Sequence, residues 1–486
     1  MANVVVIGAG LGGLPAAYEL RHFLPAEHQV TLISEHDQFT FIPGLIQVAL
    51  DLKSMKHVQL DLAPLAQRHK LNLVQDRVTG LDPVQRKITL ASGDTLSYDY
   101  LTIATGASLA FDLIPGLGPH GGYTQSVCTP DHALAARQAW REFVKNPGPM
   151  VVGAAPGAGC FGPAYEFILM VERELRRLGI RDQVPITYIT PEPYVGHLGV
   201  SGVKNARELT ADLMKKRGVE FIDNAAITQV SPDAVTLSDG RQIPFRYSMI
   251  LPSFRGAQFI RDVPGLADEK GFIPVLPTQR HPEFPEIYAA GVSIKLAQPD
   301  QTKVPIGLPK SGQMAEAMAT AAAHNIAVDL GAIHGPLQVP TLDALCFAEF
   351  GETGIAYIAA PVIPDPATGK RKQSYAARGP WVVWVKAAFE EYFMAKMRFG
   401  VGMPWYERLG LRTLFGLKLL SDYRPSEPQT VDSHLPSQPD SPLAPLPKGG
   451  IGCKALLERG ESDSKSPDAR ESASFKVPLP KSSPSK

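Results

Sequence analysis

Val4-Val5-Val6-Ile7 runs directly into Gly8-Ala9-Gly10-Leu11-Gly12-Gly13, and a helical stretch follows from Leu14 to Phe23. Four consecutive apolar residues read as a strand buried on both faces of a parallel sheet. Gly8, Gly10 and Gly13 then form G-x-G-x-x-G between a strand and a helix. The first glycine allows a tight turn, the second lets backbone approach a pyrophosphate, and the third permits close helix packing. The helix start adds N–H groups and a positive dipole end. A second strand, Gln29 to Ser34, ends beside Glu35, 22 residues beyond Gly13, where Ser34 and an acid would meet a ribose hydroxyl. Together these residues predict a dinucleotide site rather than a plain glycine turn.

Further units follow the same pattern. Tyr98 to Gly106 reads as a buried strand closing on Ala104-Thr105-Gly106, and a second strand–glycine–helix unit begins at Pro149-Met150-Val151-Val152-Gly153. Ile287 to Gly291 precedes an Ala-rich helix from about Gly312 to Asp329. The expected fold is α/β, with two tandem, interleaved Rossmann-like nucleotide-binding domains plus C-terminal amphipathic helices. The expected parts are 1–115 for the first nucleotide-binding portion, 116–285 for the second, and 286–378 for a return to the first. Residues 379–423 follow as the C-terminal helices, and 424–486 as a disordered tail.

Composition narrows the function. At 486 residues the chain exceeds one ordinary core. Lys plus Arg equals Asp plus Glu at 48 each, which argues against nucleic acid as a partner. No apolar run is long enough to span a bilayer. Met1-Ala2-Asn3 leaves no room for a signal peptide, so none is expected. Four cysteines make no disulfide scaffold, and a pair among them is better suited to chemistry; no metal-ligand spacing stands out.

After Gly379 the character changes. Trp381 to Met397, and a second stretch opened by Pro404-Trp405-Tyr406 and running from Leu409 to Leu420, read as amphipathic helices with aromatic faces. Such helices bind in a membrane interface, or pack as a hairpin on the core. From Arg424 the chain is rich in Pro and Ser and poor in aromatics, the composition of a disordered segment; Cys453 lies there without an expected role.

In the second glycine unit, Gly153-Ala154-Ala155-Pro156-Gly157-Ala158-Gly159-Cys160, a cysteine stands at the turn. A thiol near a helix N-terminus is biased toward thiolate, so Cys160 is expected to be nucleophilic; the alternative is a small residue filling a corner. Cys128 and Cys346 join it through Ser126-Val127-Cys128-Thr129-Pro130-Asp131-His132 and Cys346-Phe347-Ala348-Glu349. With Cys160-Phe161-Gly162-Pro163-Ala164-Tyr165-Glu166, these three segments resemble sulfide:quinone oxidoreductases of the bacterial type I group, within the two-dinucleotide-domain flavoproteins. The resemblance covers about residues 1 to 420.

The resemblance implies FAD as cofactor. Thr105 and Gly106 match the A-T-G element of such flavoproteins, and Gly291 ends their second FAD segment, although Val292 and Ser293 stand where an Asp usually binds the ribityl chain. It implies that Cys160 and Cys346 are a redox pair, bridged by a disulfide or extra sulfur atoms, which sulfide opens before two electrons pass to FAD. Cys128 has a supporting place, and His132, His197 and Glu166 match positions suited to proton handling. Lys310 and the start of the Ala-rich helix would face the flavin pyrimidine oxygens. Phe347, Phe389 and Tyr406 match an aromatic clamp for a quinone (ubiquinone, menaquinone or plastoquinone), with Lys386 near its head. The C-terminal helices then become a peripheral, monotopic anchor on the membrane surface. Whether the chain is a homo-oligomer stays open. Flavocytochrome c-type sulfide dehydrogenases share the cysteine pair but not the clamp; type-2 NADH:quinone dehydrogenases share the fold and anchor without the cysteines. A flavin-bearing sulfide sensor is the remaining alternative.

Overall fold

The computed structural model describes residues 1–365 and 367–424. The expected disordered tail, Cys453 included, lies outside the described residues apart from Arg424. Val4, Val5 and Val6 are wholly buried in the strand Asn3–Ile7, the centre of a five-stranded parallel sheet. Its order is Ile287–Ala289, Tyr100–Ile103, Asn3–Ile7, Gln29–Ser34 and Asn72–Gln75. The late strand at 287 therefore returns to the first sheet, as an interleaved chain requires. A second parallel sheet runs Val219–Ile222, Ile186–Ile189, Met150–Ala154 and Tyr247–Leu251. This is the expected pair of Rossmann-like units.

The helix Gly13–Phe23 and the helix Gly312–Asp329 lie side by side in the first unit. Small residues allow their close approach: Gly12 faces Ala315, and Gly312 faces Leu11. Ser311 caps the second helix by accepting a hydrogen bond from the Met314 N–H.

Downstream, Ala344–Glu349, Gly354–Ala360 and Gln373–Gly379 form an antiparallel sheet, and the helices Trp381–Phe399 and Trp405–Phe415 follow. The second of these stops five residues before Leu420, short of the expected extent. Gly416 takes a left-handed conformation (φ 68°) that ends it, and Leu420–Asp422 becomes a strand beside Gln338–Pro340. Leu417, Leu419 and Leu420 are accordingly buried in the body of the protein.

An ionic cluster fastens the C-terminal helices to the first unit. Lys396 is 2.5 Å from Glu316 on the Ala-rich helix and 2.7 Å from Glu407, and all three are buried. Tyr392 donates a further hydrogen bond to Glu407 at 2.8 Å. Burial lifts the Glu316 carboxyl to about 8, with Lys396 opposing the rise. Glu407→Ala removes one acceptor from this cluster, and a loss of about 2 kcal/mol is expected in chemical denaturation.

Candidate active site

The first glycine turn is closed as tightly as its sequence suggests. A Cβ on Gly13 would stand 1.7 Å from the Gly8 carbonyl oxygen, and Gly8 (φ 100°) presses against the Ala104 carbonyl. Gly10, by contrast, opens onto free space, as does Gly106 (φ 71°). Thr105 carries a buried hydroxyl without a hydrogen-bond partner, and the Gln313 amide nitrogen is likewise unpaired. Ser34 is buried and Glu35 exposed at the end of their strand. An open backbone cradle with unsatisfied donors around it fits an FAD pyrophosphate and ring system. Ser293, standing where an acid is usual, is spent on the backbone: its hydroxyl donates to Ala290 and Ile103 carbonyls. Gly291 (φ 76°) makes the turn before it.

Lys310, two residues before the Ala-rich helix, lies over the Phe272 ring at 5.0 Å. Burial lowers its ammonium to about 8, with Asp268 opposing. A cation held in so dry a place stabilises negative charge developing near it.

The second glycine loop is built differently. The Gly157 N–H donates to the Pro305 carbonyl at 2.7 Å, and the Gly307 N–H to the Ala158 carbonyl at 2.9 Å. Ala158 also bridges to Ser253, while a Cβ on Gly159 would meet the Phe254 ring at 2.4 Å. Residues 253–254 and 305–307 thus cover this loop, whereas Gly10 in the first loop opens onto free space.

The three cysteines converge. The Cys346 sulfur lies 3.6 Å from where a methyl on Gly162 would stand, two residues beyond Cys160. All three are free thiols with some accessible surface, yet protein surrounds them densely. Burial pushes Cys160 up to about 12, with the Cys346 and Cys128 sulfurs adding to the rise. Cys346 goes to about 11 through burial, raised further by Glu166 and lowered by Lys386; Cys128 is raised by burial too. Burial therefore works against the thiolate bias expected at Cys160. The Gly162 N–H favours the anion, but desolvation outweighs it.

Lys386 projects from the helix Trp381–Phe399 into the interior and pairs with Glu166, beside Cys346. Burial raises the Glu166 carboxyl above the ordinary carboxylate range, with Lys386 opposing. Glu349 joins them, and Gln47 donates to Glu349 at 2.9 Å. These last two line a cavity of about 310 Å³ with Lys53 and Arg173. His197 is buried with Nε2 at 2.9 Å from Asp300. His132 packs its ring against Phe111 and His120, and burial lowers its pKa.

The three aromatic positions named from sequence lie in separate ring groups. Phe347 meets Trp381 and Phe415, Phe389 meets Phe393, and Tyr406 meets Tyr392 and Trp405. Strand alternation turns Phe347 to the face opposite Cys346. Glu349, Gln47, Asp300 and Glu192 were not singled out from sequence. Glu192 had a signal: it is the first acid after the strand Ile186–Ile189, as Glu35 is after Gln29–Ser34.

A dinucleotide cradle in one unit, a covered one in the other and thiols between them define a flavin-dependent disulfide-type oxidoreductase. The pyridine nucleotide-disulphide oxidoreductase family model matches residues 2–319. A sulfide-quinone reductase of Aquifex aeolicus is 37% identical over 412 residues, which are 83% of this chain and 93% of that protein. The X-ray structure of the Aquifex aeolicus sulfide:quinone oxidoreductase superposes with a TM-score of 0.83 at 36% identity, covering 88% of this chain and 98% of that one. The chain belongs to the sulfide-quinone reductases of the pyridine nucleotide-disulphide oxidoreductase family. NDH2 from Plasmodium falciparum in complex with NADH shares the fold alone, at 15% identity and TM-score 0.61 over 84% of this chain and 99% of that one.

Proposed function

We propose that the chain oxidises sulfide to polysulfide or elemental sulfur and reduces a membrane quinone, using Cys160 and Cys346 as the redox pair. The convergence of Cys346 on the start of the Cys160 helix is the observation that carries this reading. In the resting enzyme the pair is bridged by sulfur. HS⁻ attacks one sulfur of the bridge, the S–S bond breaks, and a persulfide forms on one cysteine while the other leaves as a thiolate. Re-forming the bridge with the added sulfur releases two electrons. FAD, when bound, takes that pair and delivers it to the quinone. Gly8, Gly10, Gly13, Ser34, Glu35, Thr105, Gly106 and Gly291 hold the cofactor, and Lys310 offsets negative charge beside it. Glu166, held by Lys386 beside Cys346, takes the proton that the persulfide gives up as the bridge re-forms; Cys128, His132 and His197 shape the sulfide side. Phe347, Phe389 and Tyr406 offer the quinone three separate aromatic surfaces rather than one closed clamp, while Lys386 faces the thiols.

Purified enzyme should reduce a soluble quinone analogue with sulfide and leave cytochrome c oxidised under the same conditions. Equal rates with both acceptors would favour the flavocytochrome c reading, and NADH-driven quinone reduction would favour the NADH dehydrogenase reading.

The membrane surface is the place where such a quinone is met. Three of the four tryptophans, Trp381, Trp384 and Trp405, are exposed on the C-terminal helices, with Phe399, Tyr406, Leu409 and Leu414. Trp384, Trp405 and Leu414 are 76%, 69% and 78% exposed. No helix among the described residues is long and apolar enough to cross a membrane. An exposed aromatic and aliphatic patch of this kind suits insertion into one leaflet. Replacing Trp384, Trp405 and Leu414 together by Ser should cut liposome binding about tenfold or more in flotation assays, while sulfide-driven reduction of a water-soluble quinone changes little.

A further inference from the structure

Glu192 is a wholly buried carboxylate that the sulfide chemistry above does not use. One oxygen accepts from the Tyr165 hydroxyl at 2.5 Å and the Thr190 hydroxyl at 2.7 Å; the other accepts from the Leu198 N–H at 2.6 Å. Tyr165 stands in the first turns of the helix that begins beside Cys160, and its own oxygen accepts from the Gly196 N–H at 2.8 Å. Carboxylate and phenol together therefore grip one loop at two backbone points, on either side of His197.

That loop needs gripping. Gly196, Leu198, Gly199, Ser201, Gly202 and Asn205 all take positive φ, and Leu198 (φ 62°) does so without the freedom of a glycine. A non-glycine residue holds such a conformation only when its surroundings over-determine it. The Leu198 amide is the group that Glu192 receives. The loop also packs beside the thiol site: a Cβ on Gly199 would meet the Phe161 ring at 3.1 Å and Pro309 at 3.1 Å, which are next in the chain to Cys160 and Lys310.

We propose that Glu192 and Tyr165 form a positioning pair that pins the loop from Tyr194 to Gly202 as a lid over the redox thiols, holding His197 against Asp300. Glu192 lies three residues past the strand Ile186–Ile189, in the stretch where a nucleotide-binding unit would offer its acid to a ribose. Here the acid is turned inward, and the covered second unit serves as the frame of the lid. The role deepens the sulfide-oxidising reading and rests on it for its purpose, though not for its test.

The charged and titratable groups facing Glu192 are Tyr165, Tyr188, Tyr194, Asp223, Tyr357 and Cys160. Burial lifts Glu192 to about 7, Asp223 adds to the rise, and its three hydrogen-bond donors oppose it. The grip is therefore strongest above neutral pH, and protonation removes one acceptor position from it.

The test is the rate at which iodoacetamide labels Cys160 and Cys346 in the FAD-loaded, chemically reduced enzyme. Peptide mass spectrometry follows each thiol without sulfide or quinone present. Glu192→Gln should label about tenfold faster than the parent at pH 8.5, and the ratio should fall toward one by pH 5.5, where the parent's own carboxyl is protonated. Tyr165→Phe keeps the carboxylate but loses one donor and the acceptor for Gly196, and should label several-fold faster at pH 8.5. Because the Glu192 charge itself raises the Cys160 thiol, Tyr165→Phe, which keeps that charge, must label faster as well. Parent-like labelling in Tyr165→Phe at pH 8.5, a ratio of one there in Glu192→Gln, or a raised ratio in Glu192→Gln that does not vary with pH, overturns the proposal. If Glu192→Gln does not load FAD, Tyr165→Phe decides it alone: parent-like labelling at pH 8.5 overturns the pin. Failure of the parent enzyme to oxidise sulfide would sink the functional reading and leave this result standing.

Discussion

Cys160→Ala and Cys346→Ala should each lower sulfide-driven quinone reduction by about a thousandfold or more, because either change deletes one end of the sulfur bridge that sulfide must open. The losses should not add in the double variant, since the two thiols act as one unit. Substitution at Cys346 leaves the FAD cradle around Gly8, Gly13 and Thr105 untouched, so flavin content should stay that of the parent. Cys128→Ala removes a neighbour that only adds to the rise at Cys160, and a smaller loss is expected. Stopped-flow absorbance at the flavin band checks all four proteins. Sulfide-driven bleaching in either pair variant at more than a few per cent of the parent rate would contradict the assignment.

The second large effect belongs to Glu166. Cys346 is lifted to about 11, so a thiol freed there holds its proton at neutral pH unless a base stands beside it. Glu166 is the base proposed for that place, and it would act only when ionised. Its carboxyl is raised by burial and lowered by Lys386, so kcat should fall as pH drops through a value above the ordinary carboxylate range. Glu166→Gln should cost about a hundredfold in kcat and abolish that acid limb. Lys386→Met removes the opposing cation; the limb should then move to higher pH, because both Glu166 and Cys346 lose the charge that favours their anions. Reading kcat at saturating sulfide keeps the titration of free H₂S out of the profile. An acid limb that persists unshifted in both variants would place the proton elsewhere.

The sequence was most legible where local pattern and tertiary fate agree. Apolar runs bounded by glycine gave away the strands at 3, 100, 150 and 287, and the strand at 29 followed from its spacing after the first glycine turn, because strands covered on both faces have little polar side to mask them. The helix Gly312–Asp329 was also legible, with Ser311 as its cap. The stretch from Leu409 to Leu420 misled because apolar spacing does not reveal that Gly416 turns left-handed or that Leu420–Asp422 finds a strand partner near residue 338. At the site, the cysteine motifs pointed to residues that the fold brings together, but helix position alone could not weigh the burial that raises Cys160. Lys386 meets Glu166 across 220 residues of chain, and no local spacing encodes such a contact. Glu192 was passed over because an acid after a strand looks like a ribose ligand only where the glycine loop beside it is open.

The most direct test follows the flavin absorbance of purified protein without oxygen, adding micromolar sulfide, then a soluble quinone, with NADH in a parallel cuvette. Bleaching by sulfide, recovery on quinone and indifference to NADH are the expected results. The covered second loop, with Gly157 bound to Pro305, is the reason NADH should do nothing. Bleaching by NADH without bleaching by sulfide would contradict the roles given to Cys160 and Cys346.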